Sequence, residues 1–583
     1  MKSVSRAGGV FLFLLLLVIA SAVAQPASQK YLHNKTVTYA EAIAFYTQLD
    51  AEHKKAKLFS CGLTDSGKPL HLFVISSDAD FNPESLRKKN KRIILINNAI
   101  HPGEPDGVDA CIKWSDDALK RNRYDSLLKN TVVCIIPVYN IDGALNRGCC
   151  SRANQNGPDE YGTRANGQHL DLNRDFIKCE TMNTKSFIEV FQKWDPDIFI
   201  DTHVSNGADY PYVMTLISSQ HNKLTPVLGD FMKNIFTPFL FEDMKAGGHE
   251  MTPYVNTIKE IPDDGIAGFL ETPRFSTGYA ALFNSFGFVT ETHMFKPYRE
   301  RVEATEAILI SVLNFTSRYS DEIAAKRTKA KKYTAAQRSF PSSWELDTNT
   351  FEMISFKGFE AKYKTSTVTG QQRLYYDRNT PFEKSVKFFD LYRVNNTVDA
   401  PDAYILPQAW HRVAERLKWN NIEMKKLERD TMLETEVYYI TDYKTPPNAY
   451  EGKYLHSNTQ VKKEKQLIQY FAGDYLIPLN QAANRYIVET LEPEAPDSYF
   501  NWGFFDAILQ QKEWFSDYVF EDTAEEILKN NPSLKAEFEK KKSEDKLFSE
   551  SAWQQLAFIH QHSGYREKSH NRYPVGRIYF QKP

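Results

Sequence analysis

Two histidines and a glutamate are the residues of this chain best placed to hold a metal. His101-Pro102-Gly103-Glu104 puts an imidazole and a carboxylate three residues apart, just after the apolar run Ile94-Leu95-Ile96. By itself the pair says little, since about one His-x-x-Glu is expected by chance in a chain with 14 His. Its position raises it: in open α/β sheets ligands gather at the carboxyl ends of strands, where both groups can reach one ion. Hydrolytic zinc needs three protein ligands and a fourth position for water. His203 supplies the third ligand, at the end of another short apolar run, Ile198-Phe199-Ile200. No CxxC pair occurs, which argues against a thiolate zinc site or a dithiol redox centre.

Those ligands need a sheet to carry them. As far as residue 320 or so, short apolar segments alternate with helical ones, which predicts an α/β sheet with helices packed on its faces. Strands are predicted at 70–75, 92–97, 131–138, 197–201, 212–217 and 287–290, and helices at 106–119 and 297–315. Residues 326–337, dense in Lys and Arg with Ala between them, and the following Phe340-Pro341-Ser342-Ser343 read as a solvated helix end and a linker. Beyond residue 344 the pattern changes. Period-two stretches at 365–374 and 434–440 predict strands, 403–406 a strand leading into a helix at 408–419, and Thr523 with Glu526 a capped helix start. This half reads as an α+β accessory region.

Composition narrows the class. In 583 residues, 42% hydrophobic and 25% charged exclude a disordered chain, a collagen-like repeat and a small disulfide scaffold. A net charge of -2 offers no field to gather nucleic acid. Lys2 and Arg6, the apolar run 10–20 and Ala22-Val23-Ala24 together read as an export signal over 1–24, whose cleavage would leave Gln25 first. That run is too short to span a bilayer and no later segment approaches the needed length. The expectation is therefore a soluble exported protein, periplasmic or extracellular, with no membrane span after cleavage. All six cysteines lie in the first third of the chain. Export permits disulfides, and a pair between Cys149 or Cys150 and Cys179 stands beside free buried thiols as the alternative.

Four motifs in order then resemble a known family. His101-Pro102-Gly103-Glu104, Asp171-Leu172-Asn173-Arg174-Asp175-Phe176, Asp201-Thr202-His203 and Phe288-Val289-Thr290-Glu291 are similar to the ordered motifs of the zinc metallocarboxypeptidases, the M14 family of carboxypeptidase A and its bacterial relatives. The resemblance covers residues 35–320 or thereabouts. It implies a mixed sheet with helices on both faces in a catalytic domain over 25–325, then a linker over 326–343. Residues 344–583 are similar to the C-terminal extension of one set of exported bacterial members. The resemblance also implies one zinc ion held by His101, Glu104 and His203, with Glu291 as general base and proton shuttle and Glu271 as the competing carboxylate. Asp171 would accept the ring proton of His101 that faces away from the metal, and Asn173 with Arg174 would grip the substrate's terminal carboxylate.

An oxyanion donor is expected beside the metal, because a tetrahedral intermediate develops negative charge there. Asn140-Ile141-Asp142-Gly143 is similar to the family turn after which an Arg closely followed by Asn provides this contact. Arg152-Ala153-Asn154 fits best, with Arg147 and Arg164 as alternatives. For the family's mobile tyrosine, Tyr254 and Tyr279 are the candidates. Ser276 falls near the pocket-floor position, without the Asp that would select basic side chains, and His293 reads as packing or support for the site. The implied activity is zinc-dependent release of C-terminal residues from peptides or proteins outside the cytoplasm, cell-wall stem peptides among them. The alternatives are an amidase or deacylase on the same scaffold, with Arg174 holding an N-acyl amino acid, and a zinc-free binding protein.

Overall fold

The computed structural model describes residues 26–580; the export signal read over 1–24 lies outside the described residues. Eight strands build the main sheet. They are β1 (Ala56–Leu63), β2 (Pro69–Ile75), β3 (Arg92–Asn97), β4 (Thr131–Ile136), β5 (Ile198–Ser205), β6 (Met214–Ser218), β7 (Met251–Pro253) and, after the two-residue strands β8 (Asn256–Thr257) and β9 (Ile266–Ala267), β10 (Phe286–His293). Their spatial order is β1-β2-β4-β3-β5-β10-β6-β7. β4, β3, β5 and β10 form a parallel centre, flanked by antiparallel β2 on one side and antiparallel β6 on the other. The fold is thus a mixed α/β sheet with helices on both faces, and each strand predicted before residue 320 falls on one of its strands. β1 went unpredicted, because its exposed positions interrupt any apolar run.

Period-two alternation explains why both faces are covered. Leu70, Leu72, Val74, Ile93, Leu95, Val132 and Cys134 point into one core, packed by the helices Met182–Trp194 and Ser276–Leu282. Phe73, Ile75, Ile94, Ile96, Val133 and Ile135 point into the other, packed by Tyr39–Glu52, Asp106–Lys120 and Tyr298–Arg318. Central parallel strands buried on both sides read as continuous Ile, Val and Leu, as here. Polar side chains on such strands find room at the strand ends.

The C-terminal half is antiparallel. β11 (Ser339–Leu346) pairs with β14 (Tyr392–Asp399), and β12 (Glu352–Thr365) with β13 (Gln372–Phe389) forms a long hairpin whose base continues onto β9. A six-stranded sheet contains β15 (Ala403–Leu406), β16 (Lys425–Lys426), β17 (Thr431–Lys444), β18 (Ser457–Tyr470), β19 (Tyr475–Pro478) and β20 (Gly576–Ile578).

Several expectations change here. Residues 326–343 are regular structure: the helix Ser320–Ala336 continues through the basic stretch and β11 follows. Its Arg327 is buried, donating to Asn284 O at 2.8 Å and to the carboxylates of Asp195 and Asp197, each at 2.9 Å. The first core also runs without a break into Tyr404, Leu406, Leu417, Tyr486 and Trp502 of the C-terminal half. The stretch 365–374 is the turn end of the β12–β13 hairpin, since Thr365 pairs with Gln372. Thr523 lies inside the helix Asp517–Asn530, which starts one and a half turns earlier. Cys149 and Cys150 form a disulfide with each other, while Cys179 is a free thiol buried in the first core. Among the described residues, no helix is long and apolar enough to cross a membrane.

Candidate metal centre and active site

Three neighbouring parallel strands, β3, β5 and β10, bring the candidate residues together at their carboxyl ends. β3 stops at Asn97, and the loop after it is tied to the extension of β4 by Tyr139 N to Asn98 O at 2.9 Å and Asn140 N to Ala99 O at 3.1 Å. A tight turn follows, with Glu104 N donating to His101 O at 2.8 Å. Gly103 is needed in it: a Cβ there would lie 2.7 Å from Cδ of Arg152. Next door, His203 on β5 and Glu291 on β10 are register partners, so both side chains leave the sheet side by side.

His101, Glu104 and His203 offer ligand atoms that all lie within 4.8 Å of one another, and all three are buried. Their inward nitrogens are Nδ1: Glu104 Oε2 is 3.3 Å from Nδ1 of His101 and 3.0 Å from that of His203. Nδ1 of His101 makes no hydrogen bond among the described residues, an expensive omission for a buried ring nitrogen unless an ion is to occupy the space. Two imidazoles and a carboxylate facing one point are a donor set that suits zinc.

The outward nitrogens are held by carboxylates. Nε2 of His101 meets Oδ1 of Asp171 at 3.0 Å, the partner expected, and Nε2 of His203 meets Oδ2 of Asp201 at 3.0 Å. Asp201 was not anticipated in that role, although an acid two residues before a strand-end His shares its face and was the available signal. Asn97 Nδ2 in turn donates to Asp201 Oδ1 at 3.0 Å. Burial alone would raise Asp171, but His101, Arg164 and Arg174 hold its carboxyl far below the ordinary range. Burial likewise opposes ionisation of Glu104, and His101 with Arg152 overcomes it.

His101, Glu104 and His203 line a cavity of about 270 Å³ together with Arg152, Arg164, Asn173, Arg174, Tyr254, Phe269, Glu271, Phe275 and Glu291. Burial pushes the Glu291 carboxyl up to about 8, with Glu104 and Glu271 adding to the rise and His203 opposing it. Glu271 is pushed up to about 7, by burial first and then Asp201, against His203, Lys223 and Arg174. Asn173 is set between His203 Nε2 at 3.5 Å and the backbone N–H of Ser276, which donates to its Oδ1 at 3.1 Å. Arg174 donates through Nη1 to Asn173 O at 2.7 Å, and its guanidinium lies 4.3 Å above the Phe275 ring.

The three arginines considered for the oxyanion contact separate cleanly. Arg147 points away and donates to the carbonyls of Thr36 and Val37. Arg152 commits Nε to Gln155 at 2.6 Å, Nη1 to Glu104 at 2.8 Å and Nη2 to Val204 O at 3.3 Å. Arg164 bonds Asp171 through Nε and Nη2 and leaves Nη1 3.6 Å from Glu104 Oε1. Of the two tyrosines, Tyr254 lines the cavity, edge-on to Phe269 at 5.9 Å. Tyr279 is buried in the core and bonded to Gln192 and Asn420. His293 is packing, as expected: its ring nitrogens meet Ala208 O and Phe295 N at 2.9 and 3.2 Å, and burial lowers it to about 4. A larger cavity, about 450 Å³, adjoins behind Tyr254 and Phe269.

The chain is similar to several known proteins. A family model for zinc carboxypeptidases matches residues 42–266, which include all three metal-facing residues and the Asn173-Arg174 pair and stop before Glu291. Carboxypeptidase 2 of Trichophyton rubrum is 21% identical over 449 residues, covering 73% of this chain and 76% of that protein. Carboxypeptidase 2 of Trichophyton tonsurans is 21% identical over 437 residues, 71% and 74% of the respective chains. Among solved structures, a metallo-carboxypeptidase from Burkholderia cenocepacia aligns at 17% identity with a TM-score of 0.35, over 48% of this chain and 70% of that one. Residues 42–266 thus match the zinc carboxypeptidase family, M14, and the chain is a peptidase.

Proposed function

We propose that the protein is a zinc-dependent metallocarboxypeptidase that hydrolyses the C-terminal peptide bond of peptides and proteins. The observation that carries this reading is a convergence in one cavity: a three-donor metal set, a carboxylate in register beside it and an Asn-Arg pair. His101 and His203 would hold the zinc through Nδ1 and Glu104 through its carboxylate, one ion per chain. Bound there, zinc supplies a Lewis acid that polarises the scissile carbonyl and acidifies a coordinated water.

The chain's own residues do the rest. Asp171 and Asp201 keep the outward imidazole nitrogens protonated, which directs both Nδ1 lone pairs inward. Glu291, in register beside His203 on the cavity wall, accepts a proton from the attacking water and returns it to the leaving nitrogen. Asn173 and the planar fork of Arg174 bind the substrate's terminal carboxylate. Arg152 spends its donors on Glu104 and its neighbours, so we assign it to holding that ligand and give the oxyanion contact to Arg164. Glu271 lies on the cavity wall, outside the β5–β10 register, with Oε2 unpartnered among the described residues; it is read as a contact for the substrate's side chain. The export signal read in residues 1–24 supports an activity outside the cytoplasm.

The test is mass-spectrometric profiling of a peptide library with the zinc-loaded protein. Release of C-terminal residues that stops with a chelator and returns with zinc supports the proposal. Cleavage confined to N-acyl amino acids would move the reading to a deacylase, and no release from any peptide would remove it.

A further inference from the structure

One turn of the C-terminal half reaches the loop that carries Asp171 and Arg174. Between β17 and β18, Tyr450 and Lys453 close a tight loop, with Tyr450 N donating to Lys453 O at 2.7 Å and Lys453 N to Tyr450 O at 3.0 Å. Its two central residues, Glu451 and Gly452, have φ of 51° and 73°. From that left-handed pair the side chains of Tyr450 and Glu451 face the loop that carries Asp171 and Arg174. Nε of Arg174 donates to the Tyr450 hydroxyl at 3.0 Å, and the backbone N–H of Asp171 donates to Oε2 of Glu451 at 2.7 Å.

The turn is itself anchored. The Tyr450 ring stacks on Trp502, centroids 6.3 Å apart, and the Arg274 guanidinium lies 5.7 Å from one ring and 5.2 Å from the other. Arg274 is fixed by buried Asp497, which accepts from its backbone N–H at 2.9 Å and from Nε at 2.7 Å. Next to Arg274 in sequence is Phe275, the ring beneath the guanidinium of Arg174. Arg174 is thus held at Nε from the C-terminal half, at Nη1 by Asn173 O, and on one face by a ring whose loop the C-terminal half also pins.

We propose that Tyr450 and Glu451 are positioning residues for the substrate-carboxylate clamp, so that the C-terminal half completes the binding site of the catalytic half. The proposal rests on the reading of Arg174 as that clamp. A long arginine side chain loses much rotamer freedom when it grips a carboxylate; holding Nε beforehand moves that loss from binding to folding. Glu451 acts one step further back, fixing the backbone at Asp171 from which the short helix Leu172–Arg174 starts.

Tyr450→Phe tests this with little disturbance, because the ring stays on Trp502 and only the acceptor for Nε is lost. For peptides with a free C-terminus, KM should rise about tenfold with kcat within about twofold, since a hydrogen bond to a charged group is lost before the chemical step. Zinc content and the thermal midpoint should not move. In an Arg174→Ala background the same change should add nothing to KM. Glu451→Ala should raise KM in the same direction, and Glu451→Gln, which keeps an acceptor oxygen, should restore it.

A second readout needs no turnover: calorimetric binding of N-acetyl-phenylalanine, with its C-terminal amide as control. The acid should bind wild type and bind Tyr450→Phe about tenfold more weakly, while the amide binds neither. An unchanged KM and acid affinity in Tyr450→Phe overturns the proposal, as does an undiminished effect when Arg174 is already absent. If the acid binds but no peptide is cleaved, it is the peptidase reading that fails, and the affinities still decide the role of Tyr450.

Discussion

The parallel strands β3 and β5 and the long hairpin β12–β13 handle polar side chains in opposite ways. Every residue of β3 and β5 is buried, so their polar groups are usable where the strands end, and there they converge on one another. The hairpin is largely open to solvent, and its charges pair sideways, as in Lys362 with Asp377 at 2.6 Å and Lys384 with Asp263 at 2.7 Å. Such pairs are solvated and contribute little. A buried parallel sheet thus concentrates reactive groups, whereas an open antiparallel one distributes them and acts on its surroundings through its turns.

The sharpest way to break this contrast is Glu291→Gln. If the strand ends carry the chemistry, kcat should fall by about a thousandfold, the scale of a lost general base, while elemental analysis finds zinc unchanged. Turnover that stays within tenfold would hand the base to Glu271. A smaller effect is expected from Asp201→Asn, which leaves every ligand in place and weakens only the carboxylate behind His203. Removing a partner of this kind lowers metal affinity by about 10- to 100-fold, measurable by competition with a chromophoric chelator. An unchanged affinity would mean that Asn173 and the sheet orient His203 without it.

The boundary between the two regions can be tested at Arg327. Its guanidinium joins the helix Ser320–Ala336 to Asp197, whose Oδ2 accepts from Ile93 N at 2.8 Å at the start of β5. Arg327→Ala removes buried charge-assisted hydrogen bonds while Arg87 stays on Asp197 and Lys331 on Asp195, so it should cost about 3 kcal/mol in denaturant unfolding. Burial would raise Asp197, and Arg87, Arg327 and Arg92 hold it below its ordinary value. A depressed carboxyl adds stability above its unfolded pKa, about 4, and loses it as pH falls through the folded value. The gap between wild type and Arg327→Ala should therefore narrow on acidification. A gap independent of pH would detach the loss from Asp197.

That same arginine shows what the sequence could not reveal. The cluster of His101, Glu104 and His203 was legible because a metal site restricts residue types and spacing locally, and four short motifs stand in order around it. The strands β2 to β6 were legible because double-sided burial writes continuous apolar runs. Arg327 reads as solvated, since charge density marks the basic stretch around it and nothing local reports that Ile323, Arg327, Ala330 and Thr334 form a buried stripe. Cys179 offered no sign that its thiol would be buried in the first core. Asp201 was quoted in a motif, yet its function depends on a ring nitrogen two residues on. Tyr450 reaches Arg174 across 276 positions, a separation at which periodicity carries no information.

The mildest prediction compares two turns of the C-terminal half. The turn at Tyr450 is packed against the site, while the turn closing β12–β13 ends in Val368, 92% exposed. Farther along that hairpin, Phe356 and Val386 pack with Tyr210, Tyr212 and Ile266, so the attachment lies well away from the tip. Val368→Ser should leave stability within about 0.5 kcal/mol, as for other unconstrained surface positions. Peptide kcat and KM should match wild type within error. A raised KM for long peptides, with short ones unaffected, would show that the hairpin tip touches substrate beyond the cavity. The antiparallel half would then guide substrate as well as hold Arg174, and the division between a reactive sheet and a supporting one would have to be redrawn.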